Sequence, residues 1–127
     1  MKKIIDTKKA PSAIGPYSQG TVGSGLIFIS GQLPIDPNTG EFVVGNIKEQ
    51  TKQSLENLRQ ILNSQGSGLD KVLKTTVFLS DMNNFTDMNN MYKQAFGDGK
   101  YPARSAVEVA RLPKDALVEI EAIALEY

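Results

Sequence analysis

A chain of 127 residues that is 40% hydrophobic and 22% charged has the size and composition of one globular domain, not of a disordered segment. Its 14 Lys and Arg balance 14 Asp and Glu, so the basic excess that supplies most nucleic-acid affinity is missing. Neither Cys nor His occurs, which excludes disulfides, thiolate nucleophiles, imidazole bases and the usual zinc ligands, and leaves any chemistry to carboxylates, Arg, Lys, Tyr, hydroxyls and backbone groups.

Met1-Lys2-Lys3 carries the charge of a signal n-region, but Asp6 follows Ile4-Ile5 directly and no apolar stretch develops. No run approaches the ~18 apolar residues of a membrane span. The expectation is a cytoplasmic protein without membrane contact. The basic run Lys2, Lys3, Lys8 and Lys9 reads as a solvated terminus. Asn84-Phe85-Thr86 matches a glycosylation sequon, which carries no weight without a secretory signal.

In chain order, Ile4-Ile5 reads as a short edge strand and Tyr17 to Val22 as a second. Gly23-Ser24-Gly25 is a turn signal leading into Leu26-Ile27-Phe28-Ile29, a β-rich run suited to a buried strand. Asp36-Pro37-Asn38-Thr39-Gly40 has the residues of a turn. Asn46 with Glu49 resembles a capping box, and Ile47, Thr51, Leu55, Leu58, Ile61 and Leu62 then form a helical stripe that Gly66 and Gly68 bring to an end. Val72 to Leu79 is β-branched and reads as a strand. Phe85, Met88, Tyr92 and Phe96 share one face of a second helix, stopped by Gly97 and Gly99 and read as core, not as a stacking platform. Ser105 to Val109 and Leu117 to Leu125 alternate as half-buried strands, and Arg111 to Asp115 reads as the turn joining them into an antiparallel pair. No repeat or linker divides the chain, so one domain spanning 1–127 is expected: an α+β fold with two helices laid on one face of a sheet.

Two features of this pattern bear on chemistry. In the strand around Arg104, residues Arg104, Ala106 and Glu108 share one face, and Ser105, Val107 and Val109 the other. In the last strand Glu119 and Glu121 share a face with Leu117, Ile123 and Leu125, an unusual place for carboxylates because burying an unpaired charge is costly. A solvated edge strand and a structural Arg–Glu pair are the simpler readings. The functional reading is a carboxylate that activates water beside an Arg that grips an anion through two parallel hydrogen bonds. The glycines form neither a phosphate loop nor a dinucleotide fingerprint, and metal binding has no support.

Four blocks of sequence resemble a known family. Ala10-Pro11-Ser12-Ala13-Ile14-Gly15-Pro16-Tyr17-Ser18-Gln19-Gly20, Ser30-Gly31-Gln32-Leu33-Pro34, the segment from Tyr101-Pro102-Ala103-Arg104 through Ala110-Arg111-Leu112-Pro113, and Val118 to Ala124 are similar to the RidA (YjgF/YER057c/UK114) family. The resemblance implies a chorismate-mutase-like α+β fold with a mixed sheet. It also implies a homotrimer with ligand sites between subunits, and cofactor-free hydrolysis of 2-iminopropanoate and 2-iminobutanoate to keto acids and ammonia.

Carried over position by position, the resemblance makes Arg104 the carboxylate-binding residue and Glu119 the holder of the attacking water. Tyr17 closes over the ligand, and Ser30, Gly31 and Asn89 line the pocket. Ala106 stands where many members carry cysteine, a departure that leaves hydrolysis intact if the contact there is made by the backbone. The rival functions are a non-catalytic trimer that binds small acids, an endoribonuclease or translation inhibitor, and a holdase-like chaperone. Zero net charge and the lack of His weigh against the ribonuclease, and no nucleic-acid partner is expected.

Overall fold

The computed structural model describes residues 1–97 and 99–127. Six strands, β1 (Lys3–Ile5), β2 (Gly20–Gly23), β3 (Leu26–Gln32), β4 (Val72–Leu79), β5 (Ala103–Glu108) and β6 (Val118–Leu125), form one sheet in the order β1-β2-β3-β6-β4-β5. Helices α1 (Ile47–Asn63) and α2 (Phe85–Phe96) lie side by side on one face, with α1 over β3 and β6. This is the mixed-sheet α+β architecture that the sequence led us to expect.

The first helix starts where its polar residues dictate. Asn46 Oδ1 accepts from Lys48 N at 3.4 Å, and Glu49 Oε1 accepts from Asn46 N at 2.9 Å, which satisfies backbone groups left over by the first turn. Ile47, Thr51, Leu55, Leu58, Ile61 and Leu62 are all buried. They meet Ile27, Ile29, Val77, Val118, Ile120, Ala122 and Ala124 of the sheet in a single core. Gly66, at φ +73°, takes the left-handed turn just beyond the helix.

Two expectations are corrected. The second strand begins at Gly20, not Tyr17, because residues 17–19 are held as a loop. The side chain of Gln19 is buried; its Oε1 accepts from Thr7 N at 2.7 Å, and its Nε2 donates to the carbonyls of Thr7, Ala10 and Pro11 at 2.9, 3.4 and 2.9 Å. Those bonds fix the strandless segment 7–11 against the end of the sheet. The second correction is that β5 does not pair with β6. It pairs parallel with β4, Thr75 opposite Arg104 and Val77 opposite Ala106, while β6 runs antiparallel between β3 and β4. The helix α2 between β4 and β5 carries the chain back to the end where β4 began, which forces the parallel pairing. Residues 109–117 form not a hairpin turn but a longer connection around a helical turn at Pro113–Asp115, with Lys114 and Asp115 at positive φ.

The two sheet faces differ. One packs under the helices. The other exposes Ile4, Phe28, Val107 and Leu125 beside Lys74, Thr76, Glu119 and Glu121. Among the described residues no helix is long and apolar enough to cross a membrane.

Candidate functional site

Arg104 sits on the edge strand β5, opposite Thr75, whose side chain is fully buried under the helices. The guanidinium is therefore directed at α2, where Phe85, Asn89 and Tyr92 lie at i, i+4 and i+7 on one helix face. Its central carbon stands 4.7 Å from the Tyr92 ring centre and 5.5 Å from that of Phe85, and one terminal nitrogen donates to Asn89 Oδ1 at 2.8 Å. Tyr92 is itself tethered, its hydroxyl 2.6 Å from Thr75 Oγ1 in the core. Burial raises the Tyr92 pKa, opposed by the Thr75 hydrogen bond and the Arg104 charge, so the phenol stays neutral under the cation.

Among the described residues Arg104 has no acidic partner. It opens instead into a cavity of about 500 Å³ lined by Asn89, Tyr92, Lys93, Tyr101, Pro102 and Arg104. A guanidinium oriented by two rings and one amide, with further donors unclaimed, is suited to grip a carboxylate. The expectation that this row is core holds, with Met88 and Tyr92 buried and Phe85 and Phe96 packed against the core; that Phe85 and Tyr92 also flank the Arg104 guanidinium went unforeseen. The available signal was an Asn within the aromatic stripe.

Glu119 occupies the other face. On β6 it stands opposite Phe78, pointing away from the helices, and it is half-buried without a hydrogen bond or ion pair among the described residues. Burial, and secondarily the charge of Glu121, raises its carboxyl pKa. Its neighbour is Gly31, in the irregular stretch of β3 between Ile29 and Gln32, where a Cβ would collide with Glu119 Oε2. The clash is with the mobile end of a side chain, so Gly31→Ala is expected to fold with nearly unchanged Tm yet displace the carboxylate. A loss of about tenfold in kcat with small effect on KM is the expected result, checked by steady-state kinetics alongside thermal melts.

Tyr17 and Ser30 border a second cavity, of about 680 Å³, on this open face together with Phe28, Lys74, Thr76 and Glu121. Ser30 Oγ donates to Ser18 O at 2.6 Å and Ser30 N to Gln19 O at 3.0 Å, so this serine clamps the loop that carries the exposed Tyr17. Ala106 turns its methyl towards the core, leaving its backbone at the sheet edge.

The proposed residues thus form two groups within one chain, Arg104 with Asn89 under α2, and Glu119 with Gly31, Ser30 and Tyr17 on or beside the open face. They lie on opposite sides of the sheet. No group of three or more His, Cys, Asp or Glu that could hold a metal ion occurs among the described residues.

A small α+β domain whose edge-strand arginine opens into a cavity, with no acidic partner among the described residues, is the class that fold and geometry define. Residues 7–126 match the family described as Endoribonuclease L-PSP. The chain is 57% identical over 124 residues, 98% of each protein, to a RutC family protein of Pyrococcus horikoshii. It is 49% identical to the 2-iminobutanoate/2-iminopropanoate deaminase of Mus musculus, covering 99% of this chain and 93% of that one. The crystal structure of Escherichia coli TdcF with bound serine superposes with a TM-score of 0.92 at 47% identity, covering 97% and 98% of the two chains. The chain belongs to the RidA family.

Proposed function

We propose that this protein hydrolyses small 2-imino acids, such as 2-iminopropanoate and 2-iminobutanoate, to 2-keto acids and ammonia. The observation that carries the reading is the Arg104 guanidinium, unpaired among the described residues, held by Asn89 and two rings at the mouth of a cavity. A mouse relative named for this activity, and an Escherichia coli relative with a bound amino acid, support it.

In the reaction, water adds across the imine C=N bond, and the resulting carbinolamine expels ammonia as its hydroxyl becomes the keto group. Arg104 binds the substrate carboxylate and fixes the imine carbon. Glu119 accepts a proton from the attacking water, a role open to a carboxylate of raised pKa because its conjugate acid can then return the proton to nitrogen. Backbone groups at Ala106 hydrogen-bond the imine nitrogen, Asn89 orients the guanidinium, and Tyr17 covers the ligand from a loop fixed by Ser30.

One subunit cannot present Arg104 and Glu119 to the same small molecule, because the sheet lies between them. The reading therefore includes an assembly of copies, the homotrimer that the family resemblance implies, in which the β5 edge of one subunit meets the open face of the next, covering apolar side chains such as Phe28 and Val107. Complementation tests this. Arg104→Ala and Glu119→Gln chains, each nearly inactive, are mixed, dissociated and reassembled. Random mixing in equal parts is expected to give about one quarter of wild-type sites, read as the rate of 2-iminopropanoate decay. No recovery, with trimers shown to have exchanged subunits, defeats the shared site. Carboxylate binding without imine decay in the wild type reduces the protein to a small-acid binder.

A further inference from the structure

The cavity at Arg104 has more positive charge than one carboxylate needs. Asn89, Tyr92 and Lys93 fall at i, i+3 and i+4 on α2, so the helix that orients the guanidinium also brings an ammonium to the same cavity wall. The other described lining residues, Tyr101 and Pro102, are uncharged, so among the described residues the wall carries two cations and no carboxylate. Neither Arg104 nor Lys93 forms an ion pair among the described residues. One guanidinium N–H is engaged by Asn89, and the remaining donors have no partner among the described residues.

We infer that this cavity favours imino and keto acids with a second carboxylate on the side chain, the first held by Arg104 and the second by Lys93. The inference rests on the reading of Arg104 as the carboxylate grip and extends it to the substrate's other end. Two like charges facing one cavity repel each other, and a monoanion relieves only part of that repulsion, whereas a dianion spanning them meets both. Within one subunit the cavity has a volume of about 500 Å³, inside the range of pockets that enclose whole small ligands. Lys93 also lies in the last turn of α2, where a cation favours the helix dipole. That role concerns stability alone and is separable from ligand choice.

The test is calorimetric titration of the full chain with 2-oxobutanoate and 2-oxoglutarate, stable keto acids with one and two carboxylates. At low ionic strength 2-oxoglutarate is expected to bind about five- to tenfold more tightly. Lys93→Met removes that preference while 2-oxobutanoate binding stays within about twofold, Lys93→Arg retains it, and about 0.5 M salt collapses it in the wild type. Thermal melts confirm that the variants fold. Equal binding of the two acids by the wild type, or a Lys93→Met effect of the same size on both, overturns the inference and leaves imine hydrolysis untouched. If Arg104→Ala leaves both acids bound as before, the grip itself is misplaced, and both readings fall together.

Discussion

Arg104→Ala is expected to lower kcat/KM for 2-iminopropanoate by about 10²-fold, the equivalent of about 3 kcal/mol for a lost pair of charge-assisted hydrogen bonds. Most of the loss should fall on KM, because the guanidinium holds a group that is charged before, during and after the reaction. Arg104→Lys should recover little, since an ammonium lacks the planar fork and stacks less well on Tyr92 and Phe85. The measurement is imine decay with substrate generated in situ, wild type and variants side by side. A variant as fast as wild type removes Arg104 from the reaction.

The second large effect belongs to Glu119. Glu119→Gln should reduce kcat by about 10²–10⁴-fold, the usual contribution of a positioned general base, with binding of keto acids little changed. The same substitution should raise Tm at pH 7. Burial and Glu121 raise the Glu119 pKa, so the folded protein keeps a proton there over an interval in which the unfolded chain has lost it. The stability this group contributes is full below the ordinary carboxylate pKa of about 4.3 and is lost as pH rises through the raised folded value. The Tm advantage of Gln should therefore shrink towards zero below about pH 4. Activity of the wild type should climb through the same raised pKa as the base ionises, and Glu121→Gln should move that limb to lower pH. A variant with wild-type kcat would remove Glu119 as the base.

Much of this fold was legible in the residues because it is written in local pattern. The α1 stripe and the Asn46–Glu49 pair report on a helix and its start without reference to anything distant. The direction of β5 was not legible, because the alternation of Arg104 to Val109 is the same in parallel and antiparallel strands, and only the crossover through α2 decides. The orientation of β6 was ambiguous for a different reason. Val118, Ile120, Ala122 and Ala124 form one wholly apolar face, while Leu117, Ile123 and Leu125 set large apolar side chains beside Glu119 and Glu121 on the other, so those two carboxylates were the one sign of which face the helices leave uncovered.

The candidate residues were named from resemblance, and their grouping into two clusters needed the sheet. Buried amides escaped notice altogether. Asn57 Nδ2 donates to the carbonyls of Leu33 and Ile35 at 3.1 and 2.9 Å, and Gln50 Oε1 accepts from Leu117 N at 2.9 Å, just before β6. A polar residue inside a helical stripe looks the same in sequence whether it faces water or fastens a distant loop.

Gln19 makes the same point for the chain ahead of β2. One uncharged side chain holds three carbonyls and one amide of a segment that has no ladder of its own. Ser30 secures the far end of the loop, so the tip at Tyr17 is suspended between two fixed anchors that do not themselves depend on what the tip touches. Such a mounting separates foundation from fingertip: selection can exchange the residue at the apex while the supports beneath keep their shape.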